Sequence, residues 1–399
     1  MDHKGTVPGG AVCLFIYKGL EYWIVLSRRE RKEGNDVAHQ PNQHPDKQQH
    51  PNQHQDQKLN SGLHSPISAK VLHALVHRHF GDHVVVKQFG LLQGGLFNTT
   101  YRIQLEHTAI TDVILRLAPE GVQPLQLTNE NGGVTTECDP LFSFERKMMA
   151  AEPTIYEYYR KAGIPAPEVL ACDDSAQDVR RTYMFMAFIP SVQLDHASIE
   201  EKDKTHLYTQ LGMYTAAMHR IEGASFGWPQ ADGAIRGSEH WSEVLLAIAD
   251  ETSKKAAQIG FMPGVGEKIM AIFKQNKALF DQIKQPVLVH NDLWAANVLV
   301  HGEQGEMSIA AVIDGDRSMF ADREYEAILN TDSVAFHAGY GRPLESSPAG
   351  HARRLAYRIL SSYFNAYVHQ HQVDQPEDGR IFEERTLDLL EKWKIGQSC

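Results

Sequence analysis

The sequence predicts an α+β protein of two parts, a small mixed, β-rich lobe followed by a larger, mainly helical one. Three observations carry this reading. The chain has 399 residues, 42% of them hydrophobic, which is enough for two domain-sized cores behind a tail. Residues 84 to 189 run strand, strand, strand, helix, strand by their apolar pattern. Beyond Pro190 the spacing becomes helical: Leu207, Leu211, Tyr214, Met218 and Ile221 share one face, and so do Leu355, Ile359, Tyr363 and Tyr367 further on.

In chain order, the alternation from Gly10 to Arg29 suggests two strands around Lys18-Gly19-Leu20-Glu21, a hairpin extension over residues 1–32. Residues 33–65 are dominated by Gln, His, Asn, Asp and Pro, too few of them apolar to offset ordering entropy, and are expected to be a disordered linker. His39, His44, His50, His54 and His64 in that tract lack fixed ligand spacing, so a solvated linker outweighs a metal site. The amino-terminal lobe is expected over 66–189. It opens with a helix from Ile67 to Phe80 and continues with an antiparallel meander of Val84–Leu92, Asn98–Leu105 and Asp112–Ala118. A helix from Phe142 to Ala162 stops at Gly163-Ile164-Pro165, and Arg181–Ile189 is a buried strand. The helical lobe occupies 190–399.

Composition narrows the function classes. Lys+Arg 39 against Asp+Glu 50 gives a net charge of −11, which argues against a nucleic-acid partner and is compatible with a cationic ligand. Cys13, Cys138, Cys172 and Cys399 show neither CxxC nor Cys/His metal spacing, so a reducing compartment is the default. No run is long and apolar enough to span a membrane, and the opening MDHKGTVPGG lacks a secretory pattern. A cytoplasmic protein without a membrane partner is therefore expected; nothing in the sequence speaks to its oligomeric state.

The chemistry concentrates in two segments. Val287-Leu288-Val289 leads into His290-Asn291-Asp292-Leu293-Trp294-Ala295-Ala296-Asn297, after which the apolar run resumes, and Ile309–Ile313 is a second strand that delivers Asp314-Gly315-Asp316. The two strands are expected to pair. Phosphoryl transfer from a magnesium nucleotide needs charge neutralisation on the phosphates, an acceptor oxygen held in line, and a group that positions or accepts its proton. H-x-D-x4-N followed by a strand-borne Asp supplies all three: Asp292 at the acceptor hydroxyl, Asn297 and Asp314 as Mg²⁺ ligands, His290 as a structural residue. A lone D-x4-N would be an ordinary strand end; both halves in order, each flanked by apolar strands, favour the catalytic reading.

HNDLWAAN followed by VIDGDRSMFADREYE resembles the aminoglycoside phosphotransferase and choline/fructosamine kinase superfamily, over roughly residues 85 to 340. The resemblance implies a protein-kinase-like fold, ATP or GTP as co-substrate with Mg²⁺, and a small-molecule hydroxyl acceptor. Asp322-Arg323-Glu324-Tyr325-Glu326 matches the family's stretch after the metal-binding Asp, usually G-D-P-x-x-D, with Ala321, Arg323 and Glu326 as departures. Gly94-Gly95-Leu96-Phe97-Asn98-Thr99 resembles the family's nucleotide-covering loop, where glycines admit close backbone approach and Asn98 and Thr99 add donors. Arg116 stands at the phosphate-binding position of the third strand, with Glu152 as the implied helix partner and Glu145 in reserve, because Pro153 complicates the helix at Glu152. Adenine would bond to backbone around Ala187–Ile189, and His219 matches a helix-end histidine read as packing.

For the acceptor, Asp316, Asp322, Glu324 and Glu326 are candidate acids and Trp241, Phe336 and Tyr340 candidate stacking rings, which would suit an aminoglycoside or another amino-bearing substrate. The plainer reading has these acids capping helices and pairing with Arg317, Arg323 and Arg353. A nucleotide-binding pseudokinase or regulatory module is the alternative class, supported by Arg116 and the Glu152-Pro153 pair alone. A partner-binding role for the His/Gln tract has only composition behind it.

Overall fold

The computed structural model describes residues 63–92, 95–120, 125–128, 134–303 and 305–397; the expected hairpin, nearly all of the linker, and Gly94 lie outside them. The amino-terminal region comprises α1 (Ala69–Phe80), β1 (Val85–Leu91), β2 (Thr99–Glu106), β3 (Asp112–Leu117), β4 (Leu125–Thr128), β5 (Val134–Cys138), α2 (Met148–Lys161), β6 (Val169–Asp173) and β7 (Tyr183–Ala187). The remainder comprises β8 (Val192–Gln193), α3 (Glu201–Met218), β9 (Phe226–Pro229), β10 (Ile235–Ser238), α4 (Trp241–Gln258), α5 (Val265–Gln275), α6 (Lys277–Phe280), β11 (Val287–Val289), β12 (Val298–His301), β13 (Ser308–Val312), β14 (Met319–Ala321), α7 (Val334–Tyr340), α8 (Pro348–His371) and α9 (Pro376–Gln397). A β-rich amino-terminal region and a helical carboxy-terminal region result.

Five strands form the main sheet in the order β1-β2-β3-β7-β6, all neighbours antiparallel. Successive strand residues face opposite sides, so Val113, Leu115 and Leu117 meet Leu72, Leu75 and Val76 of α1, whose Ser68 caps it by accepting from the Val71 N–H. Ile114 and Arg116 face the other way. Ile114 packs with Ile155 and Tyr156 of α2 and with Met184, so α2 covers this second face.

Three boundaries differ from expectation for physical reasons. The central helix starts at Met148 rather than Phe142, because the Glu145 carboxylate accepts from the Phe142 N–H (2.9 Å) and closes a turn there. Pro153 lies inside α2, in its second turn, instead of serving as a cap. Strand β7 starts at Tyr183, since Arg181 turns its guanidinium onto the Ala118 and Ser65 carbonyls. The sequence pattern also missed β6 and the β4–β5 hairpin.

The helical region has two cores. One gathers α4, α5, α8 and α9 around Trp241, Phe273, Phe280, Tyr363 and Tyr367. The other links α2, α3, α7 and the β12–β13 ribbon through Tyr159, Leu211, Leu288, Val298 and Phe336. The apolar run at 287–300 divides into β11, which pairs with β14 (Val287↔Ala321), and β12, which pairs with β13 (Val298↔Val312). The polar residues 290–297 form the loop between them.

Candidate active site

The loop after β11 is anchored from below. His290 is fully buried, its Nε2 sits 2.9 Å from the Ile313 carbonyl, and its ring stacks on Tyr159. Its backbone N–H donates to Glu326 Oε2 at 2.6 Å, and the Asn291 N–H donates to the same oxygen at 3.3 Å. Asn291 takes a left-handed φ of 63°, a conformation that Asn tolerates better than most residues. This turn brings Asp292 to the surface of the cleft, partly exposed.

Asn297, in a 3₁₀ turn that ends the loop, donates its amide to the Asp292 carbonyl (2.8 Å) and lies 3.4 Å from the Asp292 carboxylate. Its donor is thereby committed to the loop, and its side-chain carbonyl is the remaining acceptor. Burial pushes the Asp292 carboxyl up to about 7; Arg317 opposes this, while Asp314, Asp316 and Glu326 reinforce it.

Asp314 follows β13 with φ 55°, again left-handed, and its half-exposed carboxylate meets Arg116 Nη2 at 2.5 Å. Arg116 also donates Nη1 to both Glu152 oxygens, at 2.6 and 2.7 Å, and approaches Asp316 at 3.3 Å. Burial opposes its charge, but Asp314, Glu152 and Asp316 together hold the guanidinium firmly protonated. Glu152 is pushed up to about 7, by burial first, with Arg116 drawing it down and Asp316 and Asp314 adding to the rise. Tyr156 donates to Glu152 as well.

Of the two helix acids considered, Glu152 is the one on Arg116. Glu145 instead accepts from Arg317 Nη2 (3.2 Å), the Phe142 N–H and Gln372 Nε2 (2.9 Å). Arg317 thus stands between Glu145 and Asp292, with its guanidinium near the Phe97 and Phe364 rings. Its position one residue past D-G-D was the signal that could have found it.

The covering loop is placed in part. Asn98 is buried and donates to Asp316 at 3.2 Å, and Gly95 precedes it. Thr99 departs from the expectation of a phosphate donor. It is fully buried, its hydroxyl accepts from the Ser65 N–H (3.2 Å), and strand parity puts it opposite Leu117 on the α1 side; Thr100, opposite Arg116, shares the cleft side. At the end of β7 the Ala187 N–H donates to the Glu168 carbonyl and the Phe188 N–H to the Asp112 carbonyl. Among the described residues, the Ile189 N–H meets no protein acceptor.

The expected acceptor surface does not form from the residues chosen for it. Trp241 and Phe336 are fully buried, and the Trp241 indole donates to Tyr357. Tyr340 bonds His219 Nδ1 at 2.8 Å, which makes His219 a packing residue. Asp322 accepts from the Tyr357 hydroxyl and the Glu324 N–H, and Glu324 is held by Arg323 and Arg354. Glu326 anchors the loop before Asp292. Asp316 stays at the cleft, but on Arg116 and Asn98. Among the described residues no cluster of three or more His, Cys, Asp or Glu forms a ready metal cage.

An aspartate and an asparagine on one loop, a strand-borne aspartate facing them, and an arginine locked to a helix glutamate define a small-molecule kinase, a phosphotransferase with an alcohol group as acceptor. Comparison with known proteins agrees. The sequence model of the phosphotransferase enzyme family (APH) matches residues 89–329, and the chain belongs to that family. No curated protein matches it in sequence.

Among solved structures, a thermostable mutant of the aminoglycoside phosphotransferase APH(4)-Ia, in ternary complex with AMP-PNP and hygromycin B, is similar at TM-score 0.56 and 17% identity, over 81% of this chain and 98% of that one. A protein from Thermobifida fusca YX-ER1 assigned as a fructosamine-3-kinase is similar at TM-score 0.52 and 15% identity, over 81% and 98%. At these identities the likeness establishes the fold. No helix among the described residues is long and apolar enough to cross a membrane.

Proposed function

We propose that the chain transfers the γ-phosphoryl group of Mg-ATP or Mg-GTP to a hydroxyl of a small, amine-bearing acceptor, an aminoglycoside being one candidate. The observation that carries this is the convergence on one cleft of Asp292, Asn297 and Asp314 with the Arg116–Glu152 pair.

Asn297 and Asp314 would hold Mg²⁺. They offer a carbonyl and a carboxylate oxygen, the hard donors that Mg²⁺ takes, and when bound the ion neutralises charge on the phosphates. A triphosphate gives Arg116 a more highly charged partner than Asp314, so the guanidinium can move to phosphate while Glu152 keeps it oriented. Asp292, close to neutrality in its titration, orients the acceptor hydroxyl and takes its proton as the bond to phosphorus forms. The Ile189 N–H is the backbone donor left for the adenine edge, the Ala187 amide being committed to Glu168.

Asp314, Asp316 and Glu326 all bear on Asp292 and Arg317 opposes them; with Glu152 these carboxylates outnumber the two arginines, Arg116 and Arg317, a surplus of negative charge that favours a cation and an amine-bearing acceptor. The acceptor in the APH(4)-Ia complex, hygromycin B, belongs to that protein and supports the reading by likeness of fold.

The test is NDP release with Mg-ATP and Mg-GTP over aminoglycosides, choline-like amines, ketosamines and hydroxy amino acids, with Asp292→Asn as control. Acceptor-dependent release that the variant loses supports the proposal. Tight nucleotide binding with no turnover on any acceptor would favour the regulatory module.

A further inference from the structure

A cleft of about 330 Å³ lies beside the candidate active site, within the range of small-ligand pockets. Its walls come from four places: Met148, Ala151 and Ile155 on α2, Trp228 and Arg236 on the β9–β10 hairpin, Phe144 on the segment before α2, and Glu243 and Glu251 on α4. Asp316 and Ser318 close its inner end. Asp292, Asn297 and Asp314 are not among its lining residues.

The chemistry of the walls is lopsided. Phe144 and Trp228 stack at 5.2 Å and 11° and form an aromatic wall, continued by the apolar side chains of α2. Three carboxylates line the cleft, and each already has protein donors. Glu251 accepts from the Ser143 N–H (2.7 Å) and hydroxyl (2.8 Å), Glu243 from the Ser238 hydroxyl, and Asp316 from Arg116 and Asn98. Lys147, the second cation of the lining, pairs with Asp174 at 3.8 Å. Two donors of the lining lack a protein partner among the described residues. The exposed Arg236 side chain has no protein partner among the described residues. The Trp228 indole N–H is buried without one.

We propose that this cleft is a binding site, separate from the phosphoryl-transfer site, for a small molecule with a flat apolar body and a carboxylate group. The body lies against Phe144, Trp228 and α2, and the carboxylate meets Arg236. Occupancy is coupled to the nucleotide. Ala151 of the cleft wall precedes Glu152 in α2, and Asp316 at its inner end contacts Arg116, so two of the three carboxylate partners of the Arg116 guanidinium adjoin the ligand. A filled cleft fixes α2 and Asp316 and so holds the guanidinium in place for phosphate. By linkage, the nucleotide must tighten the ligand by the factor that the ligand tightens the nucleotide.

The test uses the full chain, with 2-naphthoate and 2-naphthylmethylamine as probes that share a flat body and differ in the sign of the charged group. Calorimetry should show the carboxylate binding at least tenfold more tightly than the amine. Arg236→Gln should abolish that preference, and Trp228→Phe should weaken the carboxylate severalfold. Saturating 2-naphthoate should tighten Mg-ATP at least threefold, and Mg-ATP should tighten 2-naphthoate equally.

No binding of either probe at millimolar concentration, an amine that binds as well as the acid, or carboxylate binding that leaves Mg-ATP affinity unchanged would each overturn the proposal. None of these measurements needs turnover, so they read independently of the acceptor reaction.

Discussion

Glu326 is the sharpest single test of how the catalytic loop is held. One of its oxygens receives two backbone N–H groups, a buried one from His290 at 2.6 Å and a half-buried one from Asn291 at 3.3 Å, and Asn291 sits at a positive φ that this contact helps to hold. Glu326→Ala leaves both donors without that acceptor, the His290 N–H in a buried place and the Asn291 N–H in a half-buried one. At about 1–3 kcal/mol for each unsatisfied donor, the variant should lose about 2–5 kcal/mol of stability. Glu326→Gln keeps a carbonyl in reach and loses only the charge assistance, so it should cost about 1 kcal/mol. Glu326→Asp retreats by one methylene and should fall between them. Urea unfolding reads the stability order Gln, Asp, Ala from the midpoints at unchanged slope. On the acceptor found by the NDP-release panel, kcat should fall in the same order, at least a hundredfold for Ala, while nucleotide affinity changes less than threefold, because Arg116, Glu152 and the β7 end do not rest on Glu326. A folded Glu326→Ala protein with wild-type kcat would refute the reasoning.

Four further outcomes follow from the site. The rate should rise with pH through a limb near 7, where Asp292 loses its proton, and Arg317→Gln should move that limb to higher pH by removing an opposing cation, as a pH profile of kcat/KM on each protein would show. Because burial raises the folded Asp292 above the ordinary 3.8, its ionisation costs stability above pH 7 and not below pH 4; Asp292→Asn should therefore be inactive yet about 1–3 kcal/mol more stable than the parent at pH 8, with the difference lost near pH 4 in urea melts. Arg116→Lys, a compact charge that cannot fork between Glu152 and phosphate, should raise the nucleotide KM about tenfold or more in steady-state assays. Thr99→Val should lose about 1 kcal/mol of stability with nucleotide affinity intact by calorimetry, since its hydroxyl serves only the Ser65 N–H.

What the sequence made legible is chemistry packed into single short segments. His290, Asp292 and Asn297 share one loop and Asp314 ends one strand, so the spacing that the reaction requires survives as spacing in the chain. The strand meander was legible for the same reason, whereas the preference for Glu152 over Glu145 came from the family resemblance and left Glu145 open. Side-chain direction was not. Thr99 and Thr100 are equally suited as donors in a written motif, and only pairing with Leu117 and Arg116 shows which of them faces the cleft. Likewise Asp322, Glu324 and Glu326 form an acidic run that looks solvent-facing, whereas a 3₁₀ turn at Arg323–Tyr325 folds all three inward onto Tyr357, Arg354 and the His290 amide.

The same distinction explains why specificity is harder to read than reaction class. The wall of the lateral cleft joins Phe144, Trp228, Arg236 and Asp316, residues brought together from distant parts of the chain, and no local pattern marks any of them. A phosphoryl-transfer site must meet a fixed stereochemical demand with a few residues on rigid strands, so its motif keeps a fixed spacing by necessity. A small-molecule surface has no such demand. It can be assembled from whichever loops the fold brings near, and its sign of charge depends on which carboxylates the protein has already used. Glu243 and Glu251 are held in place by Ser238 and Ser143, whereas the Arg236 guanidinium has no protein partner among the described residues and is the cleft cation free to meet a ligand.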